Sequence, residues 1–197
     1  MIHLIIGRQG SGKTLFIIKK AYDAYNKGIT IYSNVHLNFP YIPLKYEDII
    51  NCKLHHGMVI IDEVHLLLPS RNSMSKRNRL ICDGFLSMVR KKNLELYGTT
   101  QTLRKVDVRF REEQDFIYIC SKWGYHNGEW SELIHNYDLP LDVPIMINLK
   151  VIESFSMQEI TINFIGNPYF FMYDSEQIIN IDEDKLDEFL EKKKEKK

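Results

Sequence analysis

The stretch GRQGSGKT, Gly7 to Thr14, decides the fold that we predict for this chain. It matches the pattern G-x-x-x-x-G-K-S/T, follows the apolar run Ile2–Ile6, and precedes residues 15–25, where apolar side chains recur at helical spacing. A glycine-rich turn in that position lets successive backbone N–H groups surround an anion, and the N-terminus of the helix adds the positive end of its dipole. The stretch therefore predicts a phosphate-binding loop (P-loop), against the weaker alternative of a chance glycine-rich turn.

The residues of this loop define the nucleotide and metal ligands that we expect. Lys13 would reach the β and γ phosphates, and the Thr14 hydroxyl would join the coordination shell of Mg²⁺. ATP and Mg²⁺ are therefore the predicted ligands. The predicted nucleotide-binding residues are Gly7, Arg8, Gln9, Gly10, Ser11, Gly12, Lys13 and Thr14.

Two acids follow another strongly apolar run, in MVIIDEVH. Residues 58–61 are fully apolar, which indicates a buried parallel strand. Asp62 at its carboxyl end would bind Mg²⁺ through water, and Glu63 could orient or deprotonate the attacking water. The alternative is a carboxylate pair that only caps the following segment. Two carboxylates favour hydrolysis over phosphate transfer to a small molecule, so we predict an ATPase with Lys13 and Glu63 as catalytic residues.

A glutamine ends the next candidate strand, in LELYGTTQ. The amide of Gln101 could contact the γ phosphate or the attacking water, which makes Gln101 a further catalytic candidate. Its residue type alone is weak evidence, because residues 99–101 could simply end a strand.

Short strands and helices alternate over the first part of the chain, which predicts a mostly parallel sheet with helices on both faces. We expect a loop at Pro69–Arg79 and a helix over residues 80–92. Beyond Gly124 the pattern changes, and the expected elements are strands at Ile145–Ile152, Ile160–Phe164 and Tyr169–Tyr173 and a terminal helix around Leu186–Leu190. The predicted division is a P-loop core at residues 1–124 and a C-terminal part at residues 125–197, packed on the same domain.

The formal net charge is zero, but the charge is unevenly distributed. Residues 1–111 hold 18 Lys and Arg against 8 Asp and Glu, and residues 112–197 hold 8 against 18. Residues 71–111 alone hold 11 cations and 3 anions, so a local surface could attract a polyanion. The three widely spaced cysteines suggest free thiols in a reducing compartment. No apolar run approaches the roughly 18 residues of a membrane-spanning helix, so we expect a cytoplasmic protein.

Taken together, these motifs resemble the HerA and FtsK group of P-loop ATPases. Within that group the chain is similar to the zonula occludens toxin type proteins of filamentous phages and to small viral genome-packaging ATPases. The segments that carry the resemblance are GRQGSGKT, SNVHLN, VIIDEVHLLLPSR, RKKNLELYGTTQTLRKVDVRFR and YFFMYDSEQII. The resemblance implies a RecA-like additional-strand fold, in which the strand ending in Gln101 lies between the strands that carry the P-loop and the two acids.

The resemblance also implies a homo-oligomeric ring, commonly a hexamer, with ATP bound between subunits. Its FtsK-like members place a trans-acting arginine just before the glutamine-ending strand, where this chain has Arg90. Such an arginine would neutralise charge on the γ phosphate of a neighbouring subunit. Arg90 could instead be an ordinary cation at the C-terminal end of a helix, where the helix dipole stabilises a positive charge. Arg109 and Arg111 are the alternative candidates for the arginine finger.

Two functions follow as expectations. The first is a motor that packages the double-stranded DNA of a virus or phage, acting in the host cytoplasm or attached to the virion, with coat or portal-like partners. The second is a virion-assembly or secretion ATPase that acts on protein or membrane partners. The absence of a recognisable membrane-spanning or periplasmic segment favours the first. Its candidate DNA contacts are Arg71, Lys76, Arg77, Arg79, Arg104 and Lys105, which could also be solvated or subunit-facing cations.

Overall fold

The computed structural model of the chain describes residues 1–126, 128–133 and 143–174, except for the side chains of Arg77 and His126. The helix expected around Leu186–Leu190 and the end of the YDSE motif lie outside these residues. Within them, nine strands form one sheet. The strands are β1 Ile2–Ile6, β2 Thr30–Ser33, β3 Ile42–Pro43, β4 Gly57–Ile61, β5 Leu94–Thr100, β6 Phe116–His126, β7 Glu129–Glu132, β8 Ile145–Glu153 and β9 Glu159–Ile165.

The order of the strands confirms the predicted fold class. Across the sheet they run β3-β2-β4-β5-β1-β6-β8-β9, and β7 pairs with β6. Strands β1 to β6 are mutually parallel, whereas β7, β8 and β9 are antiparallel additions. Strand β5 lies between β1 and β4, so the strand that ends before Gln101 separates the P-loop strand from the strand of the two acids, as the additional-strand arrangement requires.

Helices cover the parallel strands on both faces. They are α1 Lys13–Tyr25, α2 Tyr46–Ile50, α3 Val64–Leu67, α4 Lys76–Arg79 and α5 Val108–Glu112. Helix α1 packs Leu15 and Ile18 on one face, together with Ile5 of β1. On the other face Phe85 and Phe110 pack against β4 and β5. The two faces of the sheet are therefore each covered by buried apolar side chains of the helical segments.

The segment Pro69–Arg79, which we predicted as a loop, is partly helical. Residues 70–72 form a 3₁₀-helix, and α4 continues directly into a π-helical segment, Leu80–Leu86. The backbone N–H of Asn78 donates to Ser75 Oγ at 3.1 Å, which satisfies a donor of the first turn. The helix expected over residues 80–92 thus exists, but it starts earlier and is π-helical in its centre.

The strand predicted at Tyr169–Tyr173 is wrong, because residues 167–172 form a 3₁₀-helix. Pro168 lies in its first turn, where its missing N–H and fixed φ favour a helical start. Only Tyr173 is extended, in an isolated bridge to Leu37.

The C-terminal strands continue the sheet of the P-loop part. Strand β6 runs through Gly124 to His126, and β8 places Ile147 and Leu149 in the same buried cluster as α1. The division of the chain at residue 124 stays a prediction.

Candidate nucleotide-binding site

Four parallel strands bring the candidate residues to one edge of the sheet. The P-loop follows β1, Asn34 follows β2, Asp62 follows β4 and Gln101 follows β5. The register pairs Ile6 with Thr100, and Ile61 with Gly98, so the carboxyl ends of β1, β4 and β5 lie side by side. Ligands of α/β sheets bind at this edge.

The P-loop has the backbone and the unsatisfied groups of an anion site. Gly12 has a φ of 93°, and a Cβ there would collide with Ile147 Cδ1. Lys13 Nζ donates to the Arg8 carbonyl at 2.9 Å, across the turn. Ser11 Oγ is buried and has no hydrogen-bond partner among the described residues. Such a buried hydroxyl needs a partner, and a phosphate oxygen in the loop would be one.

Asp62 lies against the hydroxyl that would share a metal ion with it. Thr14 Oγ1 donates to the two carboxylate oxygens of Asp62 at 3.1 and 3.0 Å, and Thr99 Oγ1 donates to Oδ1. Burial raises the pKa of Asp62, whereas the hydrogen bonds from Thr99 and Thr14 and the charge of Lys13 oppose this rise. A carboxylate and a hydroxyl in contact are oxygen ligands of the kind Mg²⁺ takes, so both residues fit the predicted metal role.

Asn34 fixes the backbone of Asp62, a contact that the sequence analysis missed. Asn34 Nδ2 donates to the Asp62 carbonyl at 3.0 Å, and the Asp62 N–H donates to Asn34 Oδ1 at 2.8 Å. The side-chain amide therefore pairs with both main-chain groups of the metal-site residue. Its only signal in the sequence was its place in SNVHLN, directly after β2.

Glu63 has an unusual backbone conformation. Its φ of 52° and ψ of 54° lie in the left-handed region, and its N–H donates to Thr99 Oγ1 at 2.9 Å. Burial and the neighbouring Asp62 raise the pKa of Glu63, against the charges of Lys13 and Lys105. A strained backbone at a half-buried carboxylate is typical of a functional position.

His65 is a second residue that the sequence analysis missed. Its Nδ1 lies 3.0 Å from Glu63 Oε2 and 3.4 Å from Thr100 Oγ1. Burial lowers the pKa of His65, and the charges of Lys105 and Lys13 lower it further. An imidazole with a lowered pKa therefore lies beside the side chain of Glu63.

A sequence profile of the zonular occludens toxin (Zot) family matches residues 1–125. This chain belongs to the Zot family. Its fold is similar to that of the N-terminal domain of zonular occludens toxin from Neisseria meningitidis, at 17% identity and a TM-score of 0.59, over 88% of this chain and 98% of that one. Comparison with curated protein sequences finds no significant match.

Two solved ATPases share this fold with the Zot-family chain. The genome packaging NTPase B204 from Sulfolobus turreted icosahedral virus 2, in complex with ATPγS, is 15% identical with a TM-score of 0.54, over 81% of this chain and 95% of that one. The ATPase domain of G40P is 12% identical with a TM-score of 0.51, over 82% and 80%. These likenesses confirm the P-loop NTPase fold.

The arginine candidates of this Zot-family chain lie in different places. Arg90 forms an ion pair with Asp115, whose carboxylate also accepts from the Ile2 N–H, so Arg90 lies at the edge of the sheet opposite its own P-loop. Arg109 donates to Asp107, to Asp83 and to the Ser73 carbonyl. Arg109 is therefore engaged within its own subunit, whereas a trans role of Arg90 stays a prediction.

Arg111 and Gln101 complete the catalytic candidates. Arg111 lies one turn beyond Asp107 on α5, and its Nε is buried without a hydrogen-bond partner among the described residues. Gln101 is exposed at the end of β5, and its Oε1 accepts a hydrogen bond from Lys105 Nζ at 2.9 Å. The roles assigned to both residues stay predictions.

The candidate DNA contacts come from two segments that the fold joins. Pro69 bridges to Val106, and Asn78 Nδ2 donates to Asp107 at 2.8 Å, so residues 69–79 lie beside residues 102–107. Among the candidates with described side chains, all are exposed: Arg71, Lys76, Arg79, Arg104 and Lys105. In the described part of this Zot-family chain, no helix has both the length and the apolar character to cross a bilayer.

Proposed function

We propose that this Zot-family chain hydrolyses ATP and uses the energy to move viral or phage DNA through a homo-oligomeric ring. In the HerA and FtsK group, which the chain resembles, the ring is commonly a hexamer. One observation supports the proposed hydrolysis: the P-loop, Asp62 and Glu63 lie together at one edge of the sheet. Thr14 is hydrogen-bonded to Asp62, and Thr99 is hydrogen-bonded to both acids. That arrangement would place a phosphate site, a metal site and a base side by side, which supports the proposal.

The residues divide the chemistry between them. When ATP binds, the Lys13 ammonium group would leave the Arg8 carbonyl and donate to the β and γ phosphates instead. A hydrogen bond from an ammonium group to a charged phosphate is stronger than one to a neutral carbonyl. Thr14 and Asp62 would hold Mg²⁺, which when bound supplies positive charge to the phosphate oxygens. Glu63 would orient and deprotonate the attacking water, since its raised pKa makes it a stronger base than an ordinary carboxylate.

The DNA part rests on the basic surface made by residues 69–79 and 102–107. Its exposed cations can neutralise DNA phosphates without reading sequence, a mode that suits a motor. B204, which has the same fold, is a genome packaging NTPase. A second candidate, which comes from the resemblance to zonula occludens toxin type proteins, is a virion-assembly or secretion ATPase acting on protein or membrane partners.

The test is the ATPase rate with and without double-stranded DNA, over a series of salt concentrations, alongside the mass in solution. The first candidate predicts stimulation by DNA that falls steeply with salt, in an oligomer. Replacing Arg71 and Lys76 with alanine should weaken the stimulation, whereas replacing the exposed Lys27 and Lys45 should not. A rate indifferent to DNA and raised by a coat protein or by lipid vesicles would support the second candidate instead.

Mixed oligomers test whether Arg90 acts across the subunit interface. Arg90→Ala and Glu63→Gln subunits are each expected to be inactive alone, but an interface that combines a normal Glu63 with a neighbour's normal Arg90 should hydrolyse ATP. Partial recovery of the rate in mixtures is therefore expected. No recovery at any ratio would contradict the interface role, and Arg111→Ala then becomes the next variant to measure.

A further inference from the structure

Lys105 contacts Gln101 at the end of β5, although its sequence context suggested a DNA contact. It ends a 3₁₀-helix, Leu103–Lys105, that directly follows β5. Its Nζ donates to Gln101 Oε1 at 2.9 Å, so its charge lies at the sheet edge beside the candidate γ-phosphate residue.

The charge of Lys105 also acts on the side chains of Glu63 and His65. It opposes the rise in the pKa of Glu63 that burial and Asp62 cause. It adds to the fall in the pKa of His65 that burial causes. The geometric anchor of the ammonium group is its hydrogen bond to Gln101, the residue that follows β5 between the P-loop strand and the strand of the two acids.

Arg104 provides an internal comparison. It is the preceding residue of the same 3₁₀-helix and is also an exposed cation. Among the described residues its side chain has no hydrogen bond or ion pair. Of these two neighbouring cations, Lys105 is the one that contacts Gln101.

We propose that Lys105 binds the γ phosphate of ATP within its own subunit, leaving the Gln101 amide when the nucleotide arrives. This inference rests on the proposed ATPase function and assigns a further ligand to the same site. The neutral amide oxygen is a weaker acceptor for an ammonium group than a phosphate oxygen, and the flexible stem of lysine allows the exchange.

The exchange has two consequences. Lys105 contacts a phosphate that ADP lacks, so it makes the site prefer a nucleoside triphosphate. Its departure also frees Gln101 Oε1, which can then accept a hydrogen bond from the attacking water. Lys13 and Lys105 thus supply two positive charges to the γ phosphate without a neighbouring subunit.

The test compares Lys105→Ala with Lys45→Ala, at an exposed lysine to which no function is assigned, using the whole chain. The measurements are the affinities for AMPPNP and ADP with Mg²⁺, the ATPase rate without DNA, and the affinity for DNA. Lys105→Ala should bind AMPPNP roughly tenfold or more weakly, the size of one charge-assisted hydrogen bond, with ADP binding unchanged and the DNA-free rate reduced. Lys45→Ala should change none of these properties, and Lys105→Arg should recover much of the AMPPNP affinity.

The outcomes separate this inference from the function on which it rests. If the wild-type chain binds and hydrolyses ATP but Lys105→Ala loses only DNA affinity, the γ-phosphate role is overturned and Lys105 is a DNA contact. An equal loss of AMPPNP and ADP affinity would also overturn it, because the contact would then not involve the γ phosphate. If the wild-type chain binds neither nucleotide, the proposed ATPase function itself fails.

Discussion

Asn34→Ala removes the side chain that pairs with both main-chain groups of Asp62. The substitution deletes hydrogen bonds of 3.0 and 2.8 Å and leaves the Asp62 carbonyl and N–H without their partners. An unsatisfied buried polar group costs about 1–3 kcal/mol. Water can reach part of the gap, because Asn34 is only partly buried, so we expect a total loss of about 2–4 kcal/mol in the free energy of unfolding.

The same substitution should affect the metal-dependent step. Without Asn34 the carboxylate of Asp62 is held by its side-chain contacts alone, so Mg²⁺ should strengthen the binding of a fluorescent ATP analogue less than in the wild-type chain. Urea unfolding measures the stability, and titration of the analogue with and without EDTA measures the metal dependence.

Asn38→Ala is the matched control for this prediction. Asn38 lies in the same loop, and its Nδ2 donates one exposed hydrogen bond to the Phe171 carbonyl. Its loss should cost about 1 kcal/mol or less and leave the Mg²⁺ dependence unchanged. The reasoning is refuted if Asn34→Ala retains wild-type stability and metal dependence, or if Asn38→Ala is equally damaging.

Two further predictions concern groups outside the catalytic chemistry. Arg109→Ala should lower the free energy of unfolding by about 1.5–3 kcal/mol in urea unfolding, because it removes the guanidinium from the buried Asp107; a fully stable variant would show that Arg109 is free for another role. Burial lowers the pKa of His3, so the unfolded chain takes up a proton near pH 6.5 that the folded chain resists. Stability should therefore fall between pH 7.5 and about pH 5.5, and His3→Gln should reduce that fall; an equal pH dependence in the variant would contradict this assignment.

The P-loop and the acid pair could be predicted because their signals are local. A strand, a glycine-rich turn and a helix follow one another within residues 2–25, and Asp62 and Glu63 directly follow an apolar run. Each pattern needs only neighbouring residues to be recognised. The central position of β5 in the sheet could be predicted only from the family resemblance, because no local spacing indicates it.

The contacts that orient the site could not be predicted, because the register of distant strands creates them. Thr99 is 37 residues from Asp62, and Asn34 is 28 residues from it, yet both bond to it. The two wrong predictions, the loop at Pro69–Arg79 and the strand at Tyr169–Tyr173, ran against local signals. Ser75 could have indicated a helix start, and Pro168 argued against a strand.

The rate of ATP hydrolysis by Glu63→Gln is the most direct test of the central claim, that this sheet edge is a hydrolytic nucleotide site. The amide keeps the shape of the side chain but cannot accept a proton, so ATP should still bind with near wild-type affinity while turnover falls by about 10²-fold or more. Glu47→Gln, at an exposed acid on α2, should leave both properties unchanged. Wild-type turnover in Glu63→Gln, or a wild-type chain that does not bind ATP, would contradict the account.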